Sequence, residues 1–93
     1  MTALGSADAG GQADVLVLVS ADCPGCDESA RVVAEVLRMR PETRIEVIDV
    51  ANGQVPVGVP FVGTPSYVMG GRVISYGNPR PADLLAVIEG ARP

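Results

Sequence analysis

Val15-Leu16-Val17-Leu18-Val19-Ser20-Ala21-Asp22-Cys23-Pro24-Gly25-Cys26 is the stretch on which the reading of this chain turns. Its first five residues are apolar without alternation, the pattern of a central strand covered on both faces, as in a parallel sheet. Ser20 to Asp22 then make a short turn, and Pro24 suits the first turn of a helix, where its missing N–H costs nothing. Cys23 and Cys26 are the only cysteines in the chain. A helix start carries partial positive charge and stabilises a thiolate there. Three residues on, a second sulfur is placed to capture whatever the first has attacked.

Working outward, the spacing predicts a helix from about Pro24 to Met39. Cys26, Ala30, Val33 and Leu37, flanked by Val36, form an apolar stripe expected to face the core. Glu28, Arg31, Glu35 and Arg38 fall on the other side at ion-pair spacing. On this register Cys26 heads the buried stripe and Cys23 faces solvent. Pro41 stops the helix, and Arg44 to Val50 is a second strand. Strand, helix and strand make a βαβ unit with parallel strands.

Ala51 to Thr64 holds too many Pro and Gly for a helix and is expected to lie over the sheet. Ser66–Met69 and Arg72–Tyr76 are expected strands of a hairpin turning at Gly70-Gly71. The last helix starts either at Pro79, capped by Asn78, or at Pro81. Leu84, Leu85, Val87 and Ile88 give it an apolar face, and Gly90 ends it. Of the aromatics, Phe61, Tyr67 and Tyr76 read as core or sheet-face residues, with Val59 to Gly63 a docking lip or core packing.

The chain has 93 residues, 47% of them hydrophobic and 19% charged, enough for one small folded domain. Residues 13–93 are that domain, and residues 1–12 read as a flexible N-terminal tail. The net charge is −4 and every basic residue is Arg, which argues against nucleic acid as a partner. No apolar run approaches the roughly 20 residues that span a bilayer. The opening residues lack a basic and then apolar leader, so a cytoplasmic location is expected. There, Cys-X-X-Cys reads first as a redox pair and second as half a metal site. Zinc takes four ligands, and two thiolates without His fall short of that, so no metal is expected.

The order β-α-β-loop-β-β-α, with Cys23-Pro24-Gly25-Cys26 after the first core strand and Thr64-Pro65 before the third, resembles the thioredoxin-like fold from about Asp14 to Ala91. The fold class implied is α/β, a mixed four-stranded sheet with the middle helix reduced or absent. The resemblance makes Pro65 a cis-proline against the sulfurs and Thr64 the residue that offers its backbone to substrate. Pro24 and Gly25 then join the substrate-binding surface. Three departures stand out: Asp22 precedes the motif where thioredoxins carry Trp, the strand before it holds no acid, and the Lys that glutaredoxins use is absent. The chain is similar to thioredoxins more than to glutathione-dependent glutaredoxins.

By that resemblance the chain is an enzyme, a thiol–disulfide oxidoreductase serving electron transfer and redox homeostasis. Cys23 is the nucleophile and Cys26 the resolving thiol, with no cofactor beyond their redox-active disulfide. Its partners are a disulfide-containing protein and a reductase or low-molecular-weight thiol donor. Two alternatives stay open: glutaredoxin-like chemistry with glutathione or a similar thiol, and a non-catalytic binding or redox-sensing module. Asp22, Asp27 and Glu28 oppose a second negative charge at Cys23, which favours a reductant over a strong oxidant. The missing middle helix is expected to leave apolar sheet surface for a homodimer or a docking partner.

Overall fold

The computed structural model describes residues 13–51, 55, 58 and 63–91, so the tail read over residues 1–12 lies outside it. The architecture is α/β, with a mixed four-stranded sheet and two helices. Its elements in chain order are β1 (Val15–Val19), α1 (Cys26–Met39), β2 (Ile45–Asp49), β3 (Ser66–Met69), β4 (Arg72–Tyr76) and α2 (Pro81–Gly90). The strands lie in the order β2-β1-β3-β4. β1 pairs parallel with β2, Val17 opposite Val47, and antiparallel with β3, Val17 opposite Tyr67. The apolar run of β1 is therefore central and buried on both faces, as its lack of alternation requires.

Two apolar clusters sandwich the sheet. On the helix side, Val15 and Val17 pack with Val32 and Val36 of α1, Tyr67 of β3, and Leu84 and Ile88 of α2. On the other side, Leu16 and Leu18 pack with Ile48 and Val68. Most of the 51–64 stretch, including Phe61, lies outside the described residues. Leu16, Leu18, Ile48 and Val68 are nonetheless only 0–8% exposed. The bare apolar surface expected on that face is thus not found among the described residues. Open apolar surface appears instead beside α1, where Val47 on β2 is 52% exposed.

The core-facing stripe of α1 needs correction. Ser29, Val32 and Val36 are its buried positions, while Ala30 is exposed and Val33 and Leu37 are partly covered. A serine, Ser29, occupies the inward face, so the apolar spacing through Cys26 and Ala30 runs beside it. Cys26, Ala30, Val33 and Leu37 line an open groove of about 560 Å³ instead, together with Val19 and Val47.

The hairpin turns where expected, with Gly70 and Gly71 at φ 60° and 80°. Positive φ at both central residues is what a tight hairpin turn demands. α2 begins at Pro81, with no side-chain cap on its first turn. Asn78 is therefore not a helix cap, and its side chain is used elsewhere. Within α2 only Leu84 and Ile88 are fully buried, and Val87 is 45% exposed. Arg40, just past α1, pairs with Glu89 of α2 and ties the two helices together at the surface.

Candidate functional site

β1 delivers the chain to the motif through Ser20, Ala21 and Asp22, and α1 starts at Cys26 itself. Gly25 takes the N-cap position with helical dihedrals and no side-chain cap. The amide of Cys26 donates to the carbonyl of Cys23 at 3.0 Å, closing a turn. Cys23 and Cys26 form a disulfide, their Cα atoms 5.3 Å apart. Both cysteines are partly exposed. Among the described residues no group of metal-ligating side chains gathers.

Thr64 and Pro65 arrive from the far side of the sheet, joined by a cis peptide bond. Three contacts seat them at the motif. Ser20 Oγ and Thr64 Oγ1 share a hydrogen bond of 2.7 Å, linking the end of β1 to this turn. The amide of Gly77 donates to the carbonyl of Pro65 at 2.9 Å. A Cβ added to Gly25 would sit 3.4 Å from Pro65 Cδ and 3.5 Å from Asn78 Nδ2, so these three residues meet at the motif loop. Cys23, Pro24, Gly25, Cys26, Thr64 and Pro65, scattered over 43 positions, are thereby brought to one end of the sheet.

Sequence reasoning missed a polar cluster behind the motif. Asn78 Nδ2 donates to the Gly25 carbonyl at 2.7 Å. Its Oδ1 accepts from Ser29 Oγ at 2.7 Å and from Tyr67 Oη at 2.7 Å. Ser29 and Tyr67 are buried, so their hydroxyls need partners, and one amide supplies them. A serine on the inward face of an apolar helix was the available signal. Tyr76 was read as a sheet-face residue, and it is one, 66% exposed. Its ring leans over Gly63, next to Thr64; a Cβ there would come within 2.6 Å of Tyr76 Oη.

Burial pushes the Tyr67 hydroxyl above the usual tyrosine value of 10.0, outweighing its hydrogen bonding within the cluster. Tyr67 is thus a neutral donor wherever the protein works. The raised value has a consequence for stability. Below pH 10 the phenol is protonated in both folded and unfolded chains, and its contribution is fully present. Above that the unfolded chain releases its proton first, and the folded state loses ground as pH rises. We expect the melting temperature to fall as pH rises above about 10, and Tyr67→Phe to fall less steeply there. Melting curves at half-unit pH steps check this.

Around the disulfide the charged groups are acidic. Asp22 and Asp27 are exposed, and Glu28 is exposed with Arg31 at 3.6 Å. No helix among the described residues is long and apolar enough to cross a membrane. No family model matches the chain, and no curated protein matches it.

Proposed function

We propose that this protein is a thiol–disulfide oxidoreductase of thioredoxin-like type that reduces protein disulfides. The observation that carries the reading is the Cys23–Cys26 disulfide at the start of α1 with the cis Thr64-Pro65 turn seated against its loop. A redox pair needs one sulfur at a helix N-terminus, where the thiolate is favoured, and a second within bonding reach. A substrate disulfide also needs a backbone edge to lie along, and on this reading Thr64 would supply it.

In the reduced protein the Cys23 thiolate attacks one sulfur of the substrate disulfide. A mixed disulfide forms, and the departing substrate sulfur takes a proton from solvent. Cys26 then loses its proton to solvent and attacks the Cys23 sulfur. The second substrate thiol leaves, and the Cys23–Cys26 disulfide holds the two electrons' worth of oxidation. A reductase or a low-molecular-weight thiol restores the dithiol by the same exchange in reverse. The exposed acids Asp22 and Asp27 work against the thiolate, which suits a reductant.

The test is a redox titration of the wild-type chain, read by trapping free thiols at each potential. We expect a single two-electron transition of the Cys23–Cys26 pair and turnover of a disulfide protein such as insulin when a thioredoxin reductase supplies electrons. Turnover with glutathione alone would move the chain to glutaredoxin-like chemistry. A pair that never cycles would leave only a binding or sensing module.

A further inference from the structure

We propose that Asn78 is a positioning residue for the resolving step, acting on Cys26 through the Gly25–Cys26 peptide. The inference rests on the oxidoreductase reading and deepens it. Gly25 supplies the peptide that precedes Cys26, and the direction of its carbonyl fixes the direction of the Cys26 amide. That amide closes the turn onto the Cys23 carbonyl at 3.0 Å. Whatever holds the Gly25 carbonyl therefore holds the two cysteines in bonding register.

Three groups approach that carbonyl, and they differ in strength. The Ser29 amide lies at 3.3 Å and Ser29 Oγ at 3.4 Å, both long for hydrogen bonds. Asn78 Nδ2 lies at 2.7 Å and is the close partner. Its orientation is not interchangeable. Turning the amide over would set its oxygen against the Gly25 carbonyl, with no hydrogen between two acceptors. With Oδ1 held by Ser29 and Tyr67, Nδ2 can only face Gly25. The cluster thus anchors the motif loop to α1 and β3 at once through a single side chain.

Apart from the Gly25 carbonyl, its side chain serves the buried Ser29 and Tyr67 hydroxyls among the described residues. It does not cap α2, whose first residue is Pro81. It does not pack in either apolar cluster. Its polar atoms are spent on the motif loop and on the two hydroxyls that orient it.

Losing this anchor frees the Gly25–Cys26 peptide and lowers the effective concentration of one sulfur at the other. The first attack, by Cys23 on substrate, is not affected, because Cys23 precedes the anchored peptide. The second attack, by Cys26 on Cys23, slows. The internal disulfide becomes less favoured relative to the dithiol, so the pair becomes easier to reduce.

The experiment compares wild type, Asn78→Ala and Tyr67→Phe in the full chain. Three readouts are taken: the equilibrium with a reference dithiol, the rate at which a preformed Cys23 mixed disulfide resolves, and the alkylation rate of reduced Cys23. We expect Asn78→Ala to shift the equilibrium toward dithiol about tenfold, near 30 mV, and to slow resolution about tenfold. Its Cys23 alkylation rate stays at the wild-type value. Tyr67→Phe serves as the comparison: Ser29 still holds Asn78 Oδ1 and the Gly25 bond stays, so it loses melting temperature while shifting the equilibrium and the resolution rate less than Asn78→Ala does. Should Asn78→Ala fail to fold, Asn78→Ser, whose hydroxyl is too short to bridge, carries the same expectation.

Two failures are distinguishable. If wild type does not cycle, the oxidoreductase reading falls. If wild type cycles and Asn78→Ala resolves and equilibrates as wild type does, losing only stability, the positioning role is overturned. The same holds if Tyr67→Phe shifts the equilibrium as far as Asn78→Ala.

Discussion

Cys23→Ser is expected to lose disulfide exchange by a factor on the order of 10³ or more, because a serine hydroxyl at neutral pH is no substitute for a thiolate. Cys26→Ser stops the reaction halfway instead. Its Cys23 still attacks substrate, and nothing then releases the mixed disulfide. The covalent adduct should accumulate to near one per chain, survive denaturing electrophoresis without reductant, and vanish with it. Intact-mass measurement of both variants after mixing with a disulfide substrate checks the pair together. An adduct on Cys23→Ser in place of Cys26→Ser would reverse the assigned roles. Both cysteines are partly exposed, and their order relative to the helix start carries the assignment.

Leu18→Ala should cost about 2–5 kcal/mol, the range for emptying a fully buried leucine site. Leu18 is 0% exposed and lies on the sheet face away from the helices, against Ile48 and Val68. For a domain of this size each kcal/mol lowers the melting temperature by about 4–8 °C, so a fall of about 10 °C or more is expected. Val47→Ala, on the exposed edge strand beside α1, should stay within about 0.5 kcal/mol. Thermal melts of the two variants beside wild type decide the matter. A Leu18→Ala protein that melts with the Val47→Ala protein would mean that this face is not packed as described.

Much of this arrangement was legible because each element carries its own punctuation. The unbroken apolar run of β1 announced a central strand. Pro24 and Pro81 marked helix starts to within two residues, and Gly70-Gly71 fixed the hairpin. The meeting of Thr64-Pro65 with Cys23-Pro24-Gly25-Cys26 was expected from resemblance alone, since no local property of either segment points to the other. What failed to show was polar. Ser29, a polar residue on the inward face, is absent from the expected apolar stripe, which therefore runs about one position away through Ala30. Asn78 stood as the cap in one of two readings of the last helix, and the helix follows the other, from Pro81. In both cases the partner lies about 50 residues away, and hydrogen bonding across that distance leaves no periodicity to read.

The placement of Asn78 also sets the order in which the site becomes complete during synthesis. β1 and the motif emerge early, yet β1 has to wait for Ile45–Asp49 on one side and Ser66–Met69 on the other before its backbone is paired. Non-local pairing of this kind is closed late. The turn at Thr64-Pro65 and then Asn78 follow, in the last third of the chain. A ribosome-bound fragment that ends before residue 78 already holds both cysteines but lacks the close partner of the Gly25 carbonyl. The two cysteines thus leave the ribosome before the residues that set them in place, and a nascent chain carries two thiols ahead of its finished site.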